Sequence, residues 1–91
     1  MKKTIKWNEE KNKQLLIERG ISFNQVYEKL KIVDIIDDIF HPNSKKYSNQ
    51  RIFVIEIENY IYLVPYVETE NEIFLKTIYP SRKFSKIYLG I

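Results

Sequence analysis

The chain has no cysteine and only one histidine, two glycines and three prolines in 91 residues. Without cysteine there is no disulfide and no thiolate metal site, which favours a cytoplasmic protein over a secreted one. One isolated histidine and acids spread along the chain disfavour a metal-dependent nuclease, and no cofactor is expected. No apolar run approaches the ~20 residues needed to span a bilayer. The basic start, Met1 to Lys6, has no apolar segment behind it, so neither a membrane anchor nor a signal peptide is expected and the mature chain should begin near Met1. No linker, repeat or low-complexity tract is visible, and the length fits one domain.

Hydrophobic residues make up 44% of the chain and aromatics 14%, enough apolar mass for one core. The net charge of +3 tilts weakly toward a polyanionic or acidic partner, and its distribution says more. Acids gather at Asp34, Asp37 and Asp38 and in Glu68-Thr69-Glu70-Asn71-Glu72. From Lys76 to the end there are Lys76, Arg82, Lys83 and Lys86 and no acid, a cationic tail with tyrosines interleaved.

The first half is helix-patterned and the second strand-patterned, which predicts an α+β fold: two N-terminal helices packed on an antiparallel sheet. Residues 3–7 alternate and read as a short strand. Asn8 is a suitable N-cap, with Glu9 and Glu10 in the first turn of a helix over 9–18 that buries Leu15 and Leu16 and stops at Gly20. Ser22 and Gln25 have capping-box spacing, and Phe23, Val26, Tyr27 and Leu30 recur at helical intervals. The β-branched run from Lys31 to Phe40 predicts a strand, irregular near Asp37-Asp38. His41-Pro42-Asn43-Ser44 is a loop. Arg51 to Ile57 and Tyr60 to Val67 form a hairpin about Glu58-Asn59, and Ile73 to Tyr79 is a last strand, ended by Pro80.

A two-residue turn at Glu58-Asn59 sorts the hairpin by parity. One face carries Arg51, Phe53, Ile55, Ile57, Tyr60, Tyr62, Val64 and Tyr66. The other carries Ile52, Val54, Ile61, Leu63 and Val67, an aliphatic set suited to packing against the helices. A five-residue loop over Glu68 to Glu72 would add Lys76 to a partly wet tyrosine face beside Arg51; a four-residue loop would move Lys76 across.

Trp7-Asn8-Glu9-Glu10-Lys11-Asn12 and Glu18-Arg19-Gly20-Ile21-Ser22-Phe23 resemble the opening of BrnT-type toxins. Gln50-Arg51-Ile52-Phe53 and Ile78-Tyr79-Pro80-Ser81-Arg82-Lys83 resemble that family's later segments, in the same order along nearly the whole chain. Arg19 stands where the family has histidine, and Tyr79-Pro80-Ser81 replaces Ile-Ser-Ala. The resemblance implies a RelE-like ribonuclease toxin of a type II toxin–antitoxin system, cleaving RNA without metal to arrest translation. It also implies a cognate antitoxin of ribbon-helix-helix or similar DNA-binding type, through which alone the complex would contact operator DNA. Arg51 and Arg82 match strand arginines implicated in toxicity, and Arg19 matches the histidine position.

Such cleavage uses the 2′-hydroxyl as nucleophile and needs a base, a cation on the phosphate and an acid for the leaving oxygen. Arg51 and Arg82 are the candidates for phosphate stabilisation, His41 and Tyr79 for proton transfer with Glu56 a further possibility, and Arg19, Lys46, Lys76 and Lys83 for RNA contacts. Each has a plainer reading: His41 as a loop residue, Arg51 as a solvated strand charge, the Lys45-Lys46-Tyr47 cluster and Lys76 as surface groups, and the tyrosines as half-buried sheet residues. Trp7 is expected in the core. Two other classes compete: a non-catalytic RNA- or protein-binding module, and a degenerate toxin kept only as antitoxin partner. The proposed mechanism requires Arg51 and Arg82 to share one cleft.

Overall fold

A computed structural model of the chain describes residues 3–43, 45–46 and 50–91. Among these, three helices and six strands follow in the order β1 (Thr4–Trp7), α1 (Glu9–Arg19), α2 (Phe23–Lys31), β2 (Asp37–Phe40), β3 (Gln50–Ile57), β4 (Tyr60–Glu68), β5 (Glu72–Leu75), β6 (Tyr79–Pro80) and α3 (Arg82–Leu89). Ser44 of the expected loop, Tyr47 of the lysine cluster and the expected start at Met1 lie outside the described residues. The architecture is α+β. The sheet runs β1-β5-β4-β3-β2, with β6 alongside β4. All pairings are antiparallel except β1 with β5. No helix among the described residues is long and apolar enough to cross a membrane.

Local signals act where expected. The Asn8 side chain accepts from the Lys11 N–H at 3.0 Å, and Gly20 closes α1 at φ 70°. The Gln25 side chain accepts from the Ser22 N–H at 2.9 Å, as capping-box spacing requires. Asn12, buried between the helices, accepts from the Phe23 N–H at 2.7 Å and donates to the Asn24 side chain at 2.9 Å, tying α1 to α2. Trp7 stacks on Phe23 at 5.8 Å and seals β1 against α2. Glu58 and Asn59 both have positive φ, 52° and 64°, the hallmark of a two-residue primed turn, and Ile57 pairs with Tyr60.

Four expectations are corrected. Leu16 is exposed, because its neighbour Leu15 alone points into the core. The β-branched run from Lys31 is not one strand: Val33 adopts φ 54°, and the Asp34 N–H bonds back to the Lys29 carbonyl at 2.8 Å. That is a helix-closing motif with valine where glycine is usual, and only Asp37–Phe40 remains extended. The last strand breaks after Leu75 and resumes as Tyr79–Pro80, which pairs with Tyr62 and Leu63. The cationic tail is a helix, α3, capped by Ser81, whose Oγ accepts from the Phe84 N–H at 3.1 Å, and closed by Gly90 at φ 71°.

This third helix reverses the expected use of the sheet faces. Parity is as read, but Phe53, Ile55, Ile57, Val64 and Tyr66 pack against α1 and α2, together with Ile73 and Leu75. The aliphatic set Ile52, Val54, Ile61 and Leu63 is covered by Phe84 and Leu89 of α3, with Tyr79 and Ile39. Tyr66, expected to be partly wet, is 2% exposed. The hairpin's aromatic face is core, and a helix absent from the expectation shields its aliphatic face.

Candidate nucleic-acid interface

Arg51 lies on the α1/α2 face, in phase with Phe53 and Ile55. It pairs across the sheet with Phe40 on β2 and with Tyr66 on β4. Its Nε donates to Asp38 Oδ1 at 3.1 Å and its Nη2 to the Asp38 carbonyl at 3.0 Å. The guanidinium sits 4.4 Å from the centre of the Phe40 ring. The Tyr66 hydroxyl donates to the same carboxylate, at 2.7 and 2.8 Å from its two oxygens, and the Tyr66 ring stacks on Phe53 at 3.9 Å. Burial, and then the bond to Asp38, push the Tyr66 phenol well above its ordinary pKa. The three side chains fasten edge strand β2 to the sheet, and the guanidinium is engaged in that clasp.

Arg82 stands in the first turn of α3, which packs on the opposite face. Tyr88 of the same helix donates to Asp37, whose side chain alternates with that of Asp38 and points to the α3 side. The two arginines therefore occupy opposite faces of the sheet and share no cleft. The two-arginine phosphate pocket is not built, because α3 comes down on the aliphatic face whereas the parity of β3 directs Arg51 to the other.

What does converge is on the α3 face, at the end the helix leaves uncovered. The β4–β5 turn closes through the Thr69 N–H and the Glu72 carbonyl at 2.8 Å, so Val67 faces Phe74. That register is the four-residue alternative, and it puts Lys76 on the α3 face beside Pro65, whose carbonyl accepts from the Lys76 N–H at 2.8 Å. The His41 N–H donates to the Gln50 carbonyl at 3.3 Å, extending β2 by one residue opposite β3. One line of registered positions thus crosses four strands: His41, Gln50, Val67, Phe74. With about 4.8 Å between strands the line is about 14 Å long, the scale of a dinucleotide. Lys76 adjoins it, its Nζ 5.8 Å from the Phe74 ring centre. The His41 Nδ1 accepts from the Asn43 N–H at 3.1 Å, which in the neutral ring places the proton on Nε2.

The remaining candidates scatter around this line. Lys83 follows Arg82 on α3 and both are exposed. Tyr79 packs against the second core, a structural position for its ring. Arg19 ends α1 on the far side of the sheet. Lys46 is exposed in the loop after β2, its N–H donating to the Asn43 side chain at 3.3 Å. Glu56 alternates with Val54 on the α3 face but lies toward the Glu58-Asn59 turn, away from Gln50. Gln50 and Phe74 were missed. The sequence signal for them is parity alone, and it becomes legible only once the β4–β5 register is known.

An open hollow of about 410 Å³ lies elsewhere, between the end of α2 and Ile57, lined by Gln25, Glu28, Lys29, Ile32 and Asp34. Its charges pair off as Lys29–Asp34 at 3.1 Å and Lys31–Glu28 at 3.4 Å, leaving no group placed for chemistry. Among the described residues no three His, Asp or Glu side chains are grouped to hold a metal ion. Compared with protein-family models, with curated proteins and with solved structures, the chain matches none.

Proposed function

We propose that this chain is a ribonuclease toxin of the type II toxin–antitoxin kind, which binds RNA on the uncovered end of its α3 face, cuts it without metal, and is neutralised by a cognate DNA-binding antitoxin. One observation carries the reading: His41 and Lys76 come from distant parts of the chain to one end of one sheet face, beside the cationic helix α3. The resemblance to BrnT-type toxins supplies the reaction class.

In this scheme the 2′-hydroxyl oxygen attacks the adjacent phosphorus, the bond to the 5′ oxygen breaks, and a 2′,3′-cyclic phosphate and a 5′-hydroxyl result. Water takes the 2′-hydroxyl proton and returns one to the departing 5′ oxygen, while the His41 side chain, held by the Asn43 N–H at its Nδ1, stabilises that oxygen by hydrogen bonding. The Lys76 ammonium, at the Phe74 end of the line, holds a neighbouring phosphate of the same strand. Arg82 and Lys83 stand at the Glu58-Asn59 end of that face, where the Ser81 N–H donates to the Ile61 carbonyl at 2.9 Å, and do not join the line, while Arg51 serves the fold.

Purified protein incubated with a long RNA in EDTA tests this. Wild type should leave cyclic-phosphate ends, His41→Ala should slow cutting by about a hundredfold, and Lys76→Ala should weaken RNA binding about tenfold. Intact RNA with wild type refutes the nuclease. If binding persists without cutting, the non-catalytic module is the better account, a reading favoured by the separation of Arg51 from Arg82.

A further inference from the structure

The line His41–Gln50–Val67–Phe74 contains more than cleavage and charge require. Phe74 keeps 37% of its surface exposed although it sits within a sheet, between Val67 on β4 and Lys6 on β1. Among the described residues no side-chain hydrogen bond engages the Gln50 amide, which is half-buried two strands away. Between them Val67 offers an apolar floor, also half-buried. The β1 end of the line is closed by the Lys6–Glu72 ion pair at 2.6 Å, and the open end leads to His41.

We infer that Phe74, Val67 and Gln50 form a base-recognition subsite that selects adenine next to the phosphodiester that is cut; the inference rests on the RNA-binding reading above. An aromatic face accepts any unstacked base, and an amide beside it reads the edge. The two strand spacings from Phe74 to Gln50 amount to about 9.6 Å, which suits a two-ring base better than a pyrimidine. A glutamine amide presents a donor and an acceptor side by side, matching the amino group and neighbouring ring nitrogen of adenine. Lys76, next to Phe74, takes the phosphate of the bound nucleotide. His41, one strand beyond Gln50, then lies on the side where the chain continues to the scissile bond.

The test uses labelled pentamers UUXUU with X as A, G, C or U, 2′-O-methylated at every nucleotide so that binding is read without cutting, followed by fluorescence anisotropy. Wild type should bind the adenine pentamer about tenfold more tightly than the pyrimidine ones, or about 1.4 kcal/mol. Phe74→Leu, which keeps the apolar contact and removes the ring, should lower that affinity about tenfold with an unchanged circular dichroism spectrum. Gln50→Glu, which only accepts hydrogen bonds, should abolish the adenine preference. Equal binding of all four pentamers by wild type overturns the subsite, as does an unchanged order of preference in both variants; the surface would then bind RNA without reading it. If wild type binds none of the pentamers, the RNA reading itself fails, and the subsite with it.

Discussion

Replacing Arg51 by alanine separates two roles that the residue cannot both hold, a phosphate ligand and a fastener of β2. The bond from Nε to Asp38 joins side chains that are each about one-third exposed, 32% and 34%, so it is worth at most about 1 kcal/mol. The bond from Nη2 to the Asp38 carbonyl adds about 0.5–1 kcal/mol, and the stack on the exposed Phe40 ring about 0.5 kcal/mol. The sum, roughly 2 kcal/mol, corresponds to a fall in Tm of about 10 °C for a domain of this size. Urea titration followed by the fluorescence of Trp7, the only tryptophan, measures it. The companion measurement is the salt dependence of RNA affinity. Each phosphate contact to a single strand contributes about 0.7 to the slope of log K against log salt. Arg51→Ala should leave the slope as it is, whereas Lys76→Ala should reduce it by about that amount. A variant as stable as wild type to within about 0.5 kcal/mol, with a reduced slope, would show that Arg51 holds phosphate and that the clasp has been misread.

Three further outcomes follow from contacts elsewhere in the fold. Tyr66 keeps its proton in the fold to a higher pH than in the unfolded chain, so its contribution is complete below about pH 10 and is lost as pH rises above it. The stability difference between wild type and Tyr66→Phe, measured by urea titration from pH 8 to 11, should therefore shrink at the alkaline end; a constant difference would contradict it. Val33→Gly should stabilise the protein by about 0.5–1 kcal/mol, because the left-handed conformation disfavours a β-branched residue and the exposed valine buries little. A lower Tm in that variant would mean the valine side chain makes contacts that matter. Ser85→Ala should cost about 1–3 kcal/mol by leaving the buried Ile61 N–H without the Oγ that accepts from it at 2.9 Å. A neutral result in thermal melts would refute that accounting.

The legible parts of the fold are those governed by neighbours in the chain. Asn8, Gly20, Ser22 and Gln25 act within a turn of where they stand, and Glu58-Asn59 fixes the pairing of β3 with β4 by itself. The segment 32–36 reads as strand from its β-branched residues, yet these favour a strand only when a partner strand is within reach. Here the closing turn at Val33 leaves Ile32 and Val33 in solvent instead. The tail had its signals, a serine three residues before Phe84 and a second glycine at the far end, but its charges drew attention to ligands rather than to Phe84 and Leu89 as a packing stripe. That omission inverted the faces, since both sides of β3 and β4 are apolar enough to be core and only the missing helix shows that both are.

The candidate site depended on a longer-range quantity. Lys76 belongs with His41 or with Arg51 according to whether the turn after Glu68 holds four residues or five, and within the turn only the Thr69 hydroxyl, which accepts from the Glu72 N–H at 3.1 Å, favours the shorter count. The parallel pairing of β1 with β5 holds it, through Lys3, whose Nζ reaches Glu68 at 2.7 Å and the Thr69 carbonyl at 2.7 Å from the far end of the chain. With Ile5 and Trp7 committed to the first core, Ile73 and Leu75 must face it too, and Phe74 and Lys76 are left on the α3 side. The cations of this protein are sorted by burial of their apolar neighbours: Arg51 goes where Phe53 and Ile55 go, and Lys76 is carried opposite Leu75. A site composed this way can be located only after the core is known, since the core decides which charged groups can meet.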